Sequence, residues 1–162
     1  MTDIRYRIIS VGKIREAFYL SGVKEYLKRL EPYANFELID GLEEKTNPRA
    51  AEKEIEKVLN KEGEKVLKLV DNDDILVALD IKGTGISSEA LALLIQQWNL
   101  SGKSRTNLVI GSSYGLSDKV KQRANQLISF SSMTFPHQMA VLILSEQLYR
   151  GFKILKGEPY HK

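Results

Sequence analysis

The stretch ILVALDI, residues 75–81, is apolar at almost every position. A strand with one face in water alternates apolar and polar residues, whereas a strand covered on both faces is apolar throughout. Strands of the second kind belong to parallel sheets that carry helices on both faces. The stretch therefore predicts a buried strand inside an α/β fold.

Strand-like and helix-like patterns alternate on both sides of this strand. Apolar, β-branched runs predict four further strands, at 6–12, 36–40, 106–110 and 128–135. Apolar residues at helical spacing predict helices at 15–30, 48–70, 88–102, 119–128 and 136–156. Helix starts are indicated by Pro48, by Ser87 or Ser88, by Ser117 and by Pro136. The alternation predicts a single α/β domain over residues 1–162, with a mainly parallel sheet flanked by helices.

Composition excludes several classes of protein. The 162 residues include no cysteine, so disulfides and zinc–thiolate sites are ruled out. Because His137 and His161 are the two histidines, we also expect no metal site. The charged first residues lack the apolar segment of a signal peptide, and runs such as MAVLIL, residues 139–144, are too short to span a bilayer. We therefore expect a cytoplasmic protein with no membrane partner.

Charge is distributed unevenly along the chain. Residues 1–100 carry 15 basic and 18 acidic side chains, whereas residues 101–162 carry 9 basic and 3 acidic ones. Such asymmetry indicates a polyanionic partner for the second part of the chain. A solvated, lysine-rich surface explains the same counts equally well.

The loop expected after the strand at 106–110 contains a possible nucleophile. LVIGSSYGLS, residues 108–117, includes the G-x-S-x-G pattern in which Ser113 would be the nucleophile of a serine hydrolase, with His161 as its base. Such an elbow needs a helix directly after the serine, but the expected cap at Ser117 starts the helix four residues later. The alternative is a loop whose glycines, Gly111 and Gly115, let the backbone approach a bound cofactor.

Three loops are expected to lie together. In parallel sheets ligands bind beyond the carboxyl ends of the strands. That rule groups the loops at 80–87, 111–117 and 134–138 into one candidate ligand site.

The expected last helix is apolar on several sides. Val141, Leu144, Leu148, Phe152 and Leu155 form one stripe, and the first turns are apolar almost all round. A helix of this kind is buried on several sides, which in a small chain predicts a homodimer interface. Glu146 and Arg150 are spaced for an ion pair along the same helix, with a simple surface salt bridge as the alternative explanation.

Several longer motifs together resemble the ribosomal RNA large subunit methyltransferase H family, small members of the SPOUT, or α/β-knot, methyltransferases. The resemblance runs along essentially the whole chain. It rests on ISVGKIRE (9–16), EYLKRLEPY (25–33), EGEKVL (62–67), VIG-x-x-x-GLS (109–117), MTFPHQM (133–139), EQLYRGFKI (146–154) and YHK (160–162).

The resemblance implies a C-terminal trefoil knot, a homodimer and S-adenosylmethionine as methyl donor. It also implies methylation at N3 of a pseudouridine in the 23S rRNA of the assembled ribosome. The implied cofactor-binding residues are Leu79, Gly111, Phe130, Ser131, Ser132, Met133, Thr134 and Phe135. The implied candidates for catalysis are His161, Tyr160, Arg150 and His137, the last with a packing or capping role as its alternative.

This chain departs from the family pattern at two positions. Ser112 stands where the family usually has a second glycine, and it would be strained if the position required a positive φ. Val141 stands where the family usually has an arginine, so one basic contact to RNA or across the dimer is missing. These departures leave open a second function, a ribosomal RNA-binding or ribosome-binding module without catalysis.

Overall fold

The computed structural model describes residues 3–162; Met1 and Thr2 of the predicted domain lie outside the described residues. Strands and helices alternate along that part of the chain, as predicted. The strands are β1 Arg5–Ser10, β2 Asn35–Ile39, β3 Ile75–Gly85, β4 Thr106–Ile110 and β5 Gln126–Ser129. The helices are α1 Ala17–Leu30, α2 Glu52–Leu69, α3 Ser88–Leu100, α4 Asp118–Arg123 and α5 His137–Leu155.

The five strands form one sheet in the order β2-β1-β4-β3-β5, and every pairing is parallel. Leu79 at the end of the apolar part of β3 is paired with Ile110 of β4 and with Ile128 of β5. The carboxyl ends of these three neighbouring strands therefore meet at one edge of the sheet.

Each face of the sheet is covered by its own set of helices. Ile8, Val77 and Leu108 pack with α1, α3 and α5, whereas neighbouring strand residues such as Leu76 and Val109 pack with α2 and α4. This arrangement follows from the alternation of side chains along a strand. It confirms a strand covered on both faces for residues 75–78, whereas Ile81, at the end of the predicted stretch, is 47% exposed.

The region between β4 and α5 differs from the prediction. The helix expected at 119–128 ends at Arg123, and the strand expected at 128–135 occupies only 126–129. Asn125 explains the early end of the helix, because its backbone and its side chain both bond to the backbone of Leu76 and place the chain at the sheet. After β5, the Ser129 hydroxyl donates to the carbonyl of Ser131 and turns the chain away from the sheet.

Two predictions for α2 and β3 also need correction. Helix α2 starts at Glu52, not at Pro48, because the side chain of Asn47 accepts a hydrogen bond from the Arg49 N–H in a preceding turn. Strand β3 continues beyond residue 81 to Gly85, with a register shift between Leu79 and Thr84. In contrast, the caps were predicted correctly: the hydroxyls of Ser87 and Ser117 accept bonds from the first turns of α3 and α4.

Candidate functional site

The predicted cofactor residues surround the carboxyl edge of the sheet. Leu79 is the last β3 residue paired with β4, before the register shift, and Gly111 and Phe130 directly follow the ends of the neighbouring strands β4 and β5. The segment from Ser131 to Phe135 connects β5 to α5 beside them, and Met133 is 73% exposed. Parallel pairing thus brings Leu79 next to Ile128, which is 49 positions later in the sequence.

A cavity of about 310 Å³ opens next to this edge, between the start of α3 and the middle of α5. Its lining includes the predicted Phe130 and Phe135 but neither Leu79 nor Gly111. The other lining residues are Ile86, Ser87, Ser88, Leu91, Ile143 and Gln147. Apolar walls with a few polar groups are typical of small-molecule sites, whose volumes run from about 300 to 1,000 Å³.

The β4–α4 loop presents backbone, not a nucleophile. A side chain at Gly111 would collide with the carbonyl of Gly115, and Gly115 has φ +86°, so this tight turn requires both glycines. The turn is closed by a 2.9 Å hydrogen bond from the Gly115 N–H to the Ser112 carbonyl. Ser113 is exposed on the turn, and α4 starts only at Asp118. The nucleophile elbow is therefore not formed, and the hydrolase hypothesis is wrong.

The structure accounts for both departures from the family pattern. All positive φ angles among the described residues belong to glycines, so Ser112 is unstrained, and its hydroxyl bonds to Glu62. Val141 is completely buried in the core, where its apolar side chain packs with the other buried residues of α5. Neither departure disturbs the carboxyl edge, so the case for a module that has lost catalysis is weakened.

The C-terminal residues are docked on α5. The Tyr160 hydroxyl donates to Glu146 Oε2 at 2.9 Å, and its ring packs edge-on against Tyr149 with centroids 4.8 Å apart. Arg150 also binds Glu146, at 2.7 Å, so Glu146 and Arg150 form the predicted ion pair. Burial, and then the bond to Glu146, raise the pKa of Tyr160, while the bond to Glu146 raises the pKa of Arg150. Tyr160 is thus a hydrogen-bond donor and Arg150 a fixed cation.

His161 is held between two charged side chains. Arg150 Nη1 lies 3.1 Å from Nδ1 of His161, and Glu89 Oε1 lies 2.5 Å from Nε2. Arginine has only donors, so Nδ1 accepts and the ring proton is on Nε2, where it is donated to Glu89. Glu89 receives bonds from its own backbone N–H and from His161, and both lower its pKa. The tail histidine is therefore oriented, not free.

His137 lies elsewhere and has a packing contact. Its Nε2 is 3.0 Å from the carbonyl of Lys13, and its ring fills the space in which a side chain at Gly12 would stand. It is thirteen residues before Arg150 on α5, which is roughly 20 Å along the helix axis. Within one chain, the structure brings together Arg150, Tyr160 and His161 but not His137.

Sequence reasoning missed Glu89 and Glu62 as members of this region. Glu89 fell within the helix expected at 88–102, and Glu62 within the motif EGEKVL of the family resemblance, and neither had a role of its own in the prediction. Their contacts, with His161 and Ser112, span 72 and 50 residues. In a single sequence no local spacing signals such partners, because the contacts arise only when α2, α3 and α5 pack on the sheet.

Two further findings bear on the expected partners. Among residues 3–162, no three His, Asp or Glu side chains are grouped so that they could hold a metal ion. None of the helices described here combines the length and the apolar character needed to cross a membrane.

The chain is similar to known proteins along its whole length. Residues 4–161 match the family model described as "Predicted SPOUT methyltransferase". A protein of Syntrophomonas wolfei subsp. wolfei named ribosomal RNA large subunit methyltransferase H is 62% identical over 98% of this chain and 100% of its own length. Proteins of the same name from Halothermothrix orenii and Enterococcus faecalis are 48% and 45% identical, with the same coverage.

Among solved structures, a probable methylase family protein from Haemophilus influenzae Rd KW20 has a similar fold. Its TM-score is 0.53 at 14% sequence identity, and the match covers 99% of this chain and 72% of that one. At this identity the likeness concerns the fold alone.

Proposed function

Because the chain belongs to the SPOUT methyltransferase family, and within it to the ribosomal RNA large subunit methyltransferase H group, we propose that it methylates N3 of a pseudouridine in 23S rRNA. The methyl donor is S-adenosylmethionine, and the substrate is the assembled ribosome. The observation that carries the proposal is the 62% identity to a protein of that name over 98% of the chain.

The residues at the carboxyl edge fit S-adenosylmethionine. Adenine and the methionine chain need apolar walls and a few hydrogen-bonding groups, but no basic phosphate cradle. The cavity offers Phe130, Phe135 and Leu91 as walls with Ser87 and Gln147 as polar groups. Beside it, the turn at Gly111 exposes backbone at the end of β4. We assign cofactor binding to Leu79, Gly111 and residues 130–135.

When bound, S-adenosylmethionine would supply a methyl group for in-line transfer to the acceptor nitrogen, with its positively charged sulfur as the leaving group. The main task of the protein is then to position the acceptor base. N3 of the base must lose its proton, so a nearby positive charge that stabilises the resulting anion lowers the barrier. Arg150 provides this fixed charge in our proposal.

Tyr160 and His161 support the same step. Tyr160 remains protonated, so it donates hydrogen bonds and offers an aromatic face to an unstacked base. In the docked arrangement both nitrogens of His161 are engaged, by Arg150 and Glu89. We propose that the substrate replaces Arg150 at Nδ1, which then becomes available to accept the proton from N3. The contacts of His137 favour its packing role.

We also propose a homodimer, now for a different reason from the one the sequence suggested. Leu144 and Leu148 are completely buried within one chain, because α5 packs between α1, α3 and the sheet. Apolar side chains nevertheless remain exposed at one end of the molecule, with Phe18 66% and Met133 73% exposed. The starts of α1 and α5 meet there, since Gln138 accepts bonds from the N–H groups of residues 15 and 16. A second copy covers this patch in our proposal.

Three further expectations are also proposals. A single domain over residues 1–162 and a cytoplasmic location come from the sequence pattern, and a trefoil knot in the C-terminal part comes from the family. Ribosomal RNA is the polyanionic partner that the basic C-terminal part suggests. Several of these cations already have carboxylate partners, such as Lys153 with Glu158 and Lys121 with Asp80. We therefore propose that the C-terminal tail contacts the RNA, and we do not base the RNA contacts on the net positive charge of residues 101–162.

The experiment compares 23S rRNA from cells with and without this protein by mass spectrometry of nucleosides. We expect one N3-methylated pseudouridine to disappear in the deletion and to return on complementation. Purified protein with S-adenosylmethionine should restore the mark on ribosomes from the deletion strain. An unchanged methylation pattern in the deletion strain would overturn the proposal.

A further inference from the structure

Helix α2 lies against the β4–α4 loop through two consecutive residues. Glu62 Oε1 accepts a 2.9 Å hydrogen bond from the hydroxyl of Ser112, near the start of the loop. The next residue, Gly63, lies so close to Ser117, at the end of the loop, that any side chain there would collide with the serine hydroxyl. One turn of α2 thus contacts both ends of the loop that contains Gly111 and Gly115.

Glu62 is an unusual residue for this position. It is only 3% exposed, and burial raises the pKa of its carboxyl. Its second oxygen accepts a 3.0 Å bond from the Glu44 N–H, so both oxygens have donors from other segments. A buried carboxyl is costly compared with an apolar side chain of similar size. Val66, one turn later on α2, is completely buried in the apolar core on this side of the sheet, whereas Glu62 buries a carboxyl that accepts two hydrogen bonds.

We propose that Glu62 is a positioning residue for cofactor binding, acting through Ser112. This inference rests on the proposed function, which assigns the backbone at Gly111 to S-adenosylmethionine. The turn from Gly111 to Gly115 contains two glycines, whose backbones have many alternative conformations in the absence of an anchor. The Glu62–Ser112 bond selects one of them before the cofactor arrives. If only a fraction of the molecules has the loop in the binding-competent conformation, the observed affinity for the ligand is reduced by that fraction.

The geometry distinguishes Ser112 from the glycine usual at this position in the family. A glycine at this position would have no hydroxyl to reach Glu62, so the bond to Glu62 depends on the serine side chain. Since Ser112 has no positive φ, the serine gains this bond without backbone strain. The loop should therefore be more rigid here than in a Ser112→Gly variant of the same chain.

The test measures S-adenosylmethionine affinity by calorimetry and hydrogen exchange of residues 111–116 in the ligand-free protein. Glu62→Ala and Ser112→Ala should each weaken binding about tenfold, since a hydrogen bond to a carboxylate is lost. The double variant should bind S-adenosylmethionine no more weakly than the weaker-binding of the two single variants, because both substitutions remove the same hydrogen bond. Glu62→Gln should retain near-normal affinity, because its amide oxygen accepts from the Glu44 N–H and its NH₂ donates to the hydroxyl of Ser112.

Two control variants come from the opposite edge of the sheet. Ser104 donates to a carboxylate at 2.6 Å, as Ser112 does, and Asp74 is a carboxyl that is likewise 3% exposed. Ser104→Ala and Asp74→Ala should lower the melting temperature and leave S-adenosylmethionine affinity unchanged. If Glu62→Ala does not fold, Ser112→Ala and its loop exchange rates decide the question.

The outcomes separate this inference from the proposed function. If the unmodified protein binds S-adenosylmethionine but Ser112→Ala binds it equally well with unchanged loop exchange, the inference is overturned and the function stands. Additive losses in the double variant, or equal losses in the two controls, also overturn it. If the unmodified protein does not bind S-adenosylmethionine at all, the proposed function itself fails.

Discussion

Replacing Tyr160 with phenylalanine tests the docked tail with minimal disturbance. The change keeps the ring that packs on Tyr149 and removes only the hydroxyl that donates to Glu146 at 2.9 Å. Glu146 keeps its bonds from Arg150 and Gln147, so no charge is left without a partner. The expected loss of unfolding free energy is about 1 kcal/mol. In a chain of this size that lowers the melting temperature by roughly 2–4 °C.

The effect on activity follows from the same magnitude. If Tyr160 only holds the tail in place, a loss of about 1 kcal/mol lowers the ratio of docked to undocked tail up to about fivefold. For docked and undocked tails of comparable population, methyl transfer to ribosomes should then fall about two- to fivefold, with unchanged affinity for S-adenosylmethionine. A larger loss would indicate that the hydroxyl acts directly on the reacting base.

The assay is methyl incorporation into ribosomes from a strain lacking the protein, alongside calorimetry and thermal melting. Tyr6→Phe is the matched control, because it removes a hydroxyl that donates to Asn99 at 2.7 Å in a different part of the core. Tyr6→Phe should lower the free energy of unfolding by a similar amount and should leave the rate of methyl transfer by the folded protein unchanged. Full activity of Tyr160→Phe, or an equal loss in Tyr6→Phe, would refute the reasoning.

Four further outcomes are expected. Deleting residues 158–162 should abolish methyl transfer while sparing S-adenosylmethionine binding, as shown by calorimetry; surviving activity would remove the tail from catalysis. Phe18→Glu should convert the proposed dimer into an 18.4 kDa monomer by light scattering, because a charge is costly in an apolar interface; a monomeric unmodified protein would contradict the dimer. Ser113→Ala should keep methyl transfer, since its side chain stands outside the proposed chemistry. Burial raises the pKa of Glu62 in the folded protein above its ordinary value of 4.5, so the folded state binds this proton more tightly than the unfolded state. The free energy of unfolding should therefore fall as pH rises from the ordinary pKa to the raised one. Glu62→Gln should remove that part of the pH dependence.

Part of the candidate site was predictable because parallel strands bring their carboxyl ends together. Gly111 directly follows β4, which the local pattern located correctly, whereas Leu79 lies within β3 and Phe130 was expected inside a strand that in fact ends at Ser129. The assignment of S-adenosylmethionine to them depended on the family resemblance, since no residue pattern in this loop distinguishes a cofactor turn from a plain one. The Ser113 motif shows the limit of short patterns, because the spacing was present but the helix began too late.

The sequence by itself determined the fold class, since continuous apolar strands alternating with amphipathic helices have few ways to bury their surfaces. It also determined the capping serines, whose hydrogen bonds lie within three residues. Only the tertiary structure decided where α4 ends and the last strand begins, since Asn125 is bound to Leu76 far away in the chain. It likewise placed His161 between Arg150 and Glu89, and Ser112 on Glu62. The physical reason is the same for all three: these bonds join segments that become neighbours only after the helices have packed on the sheet.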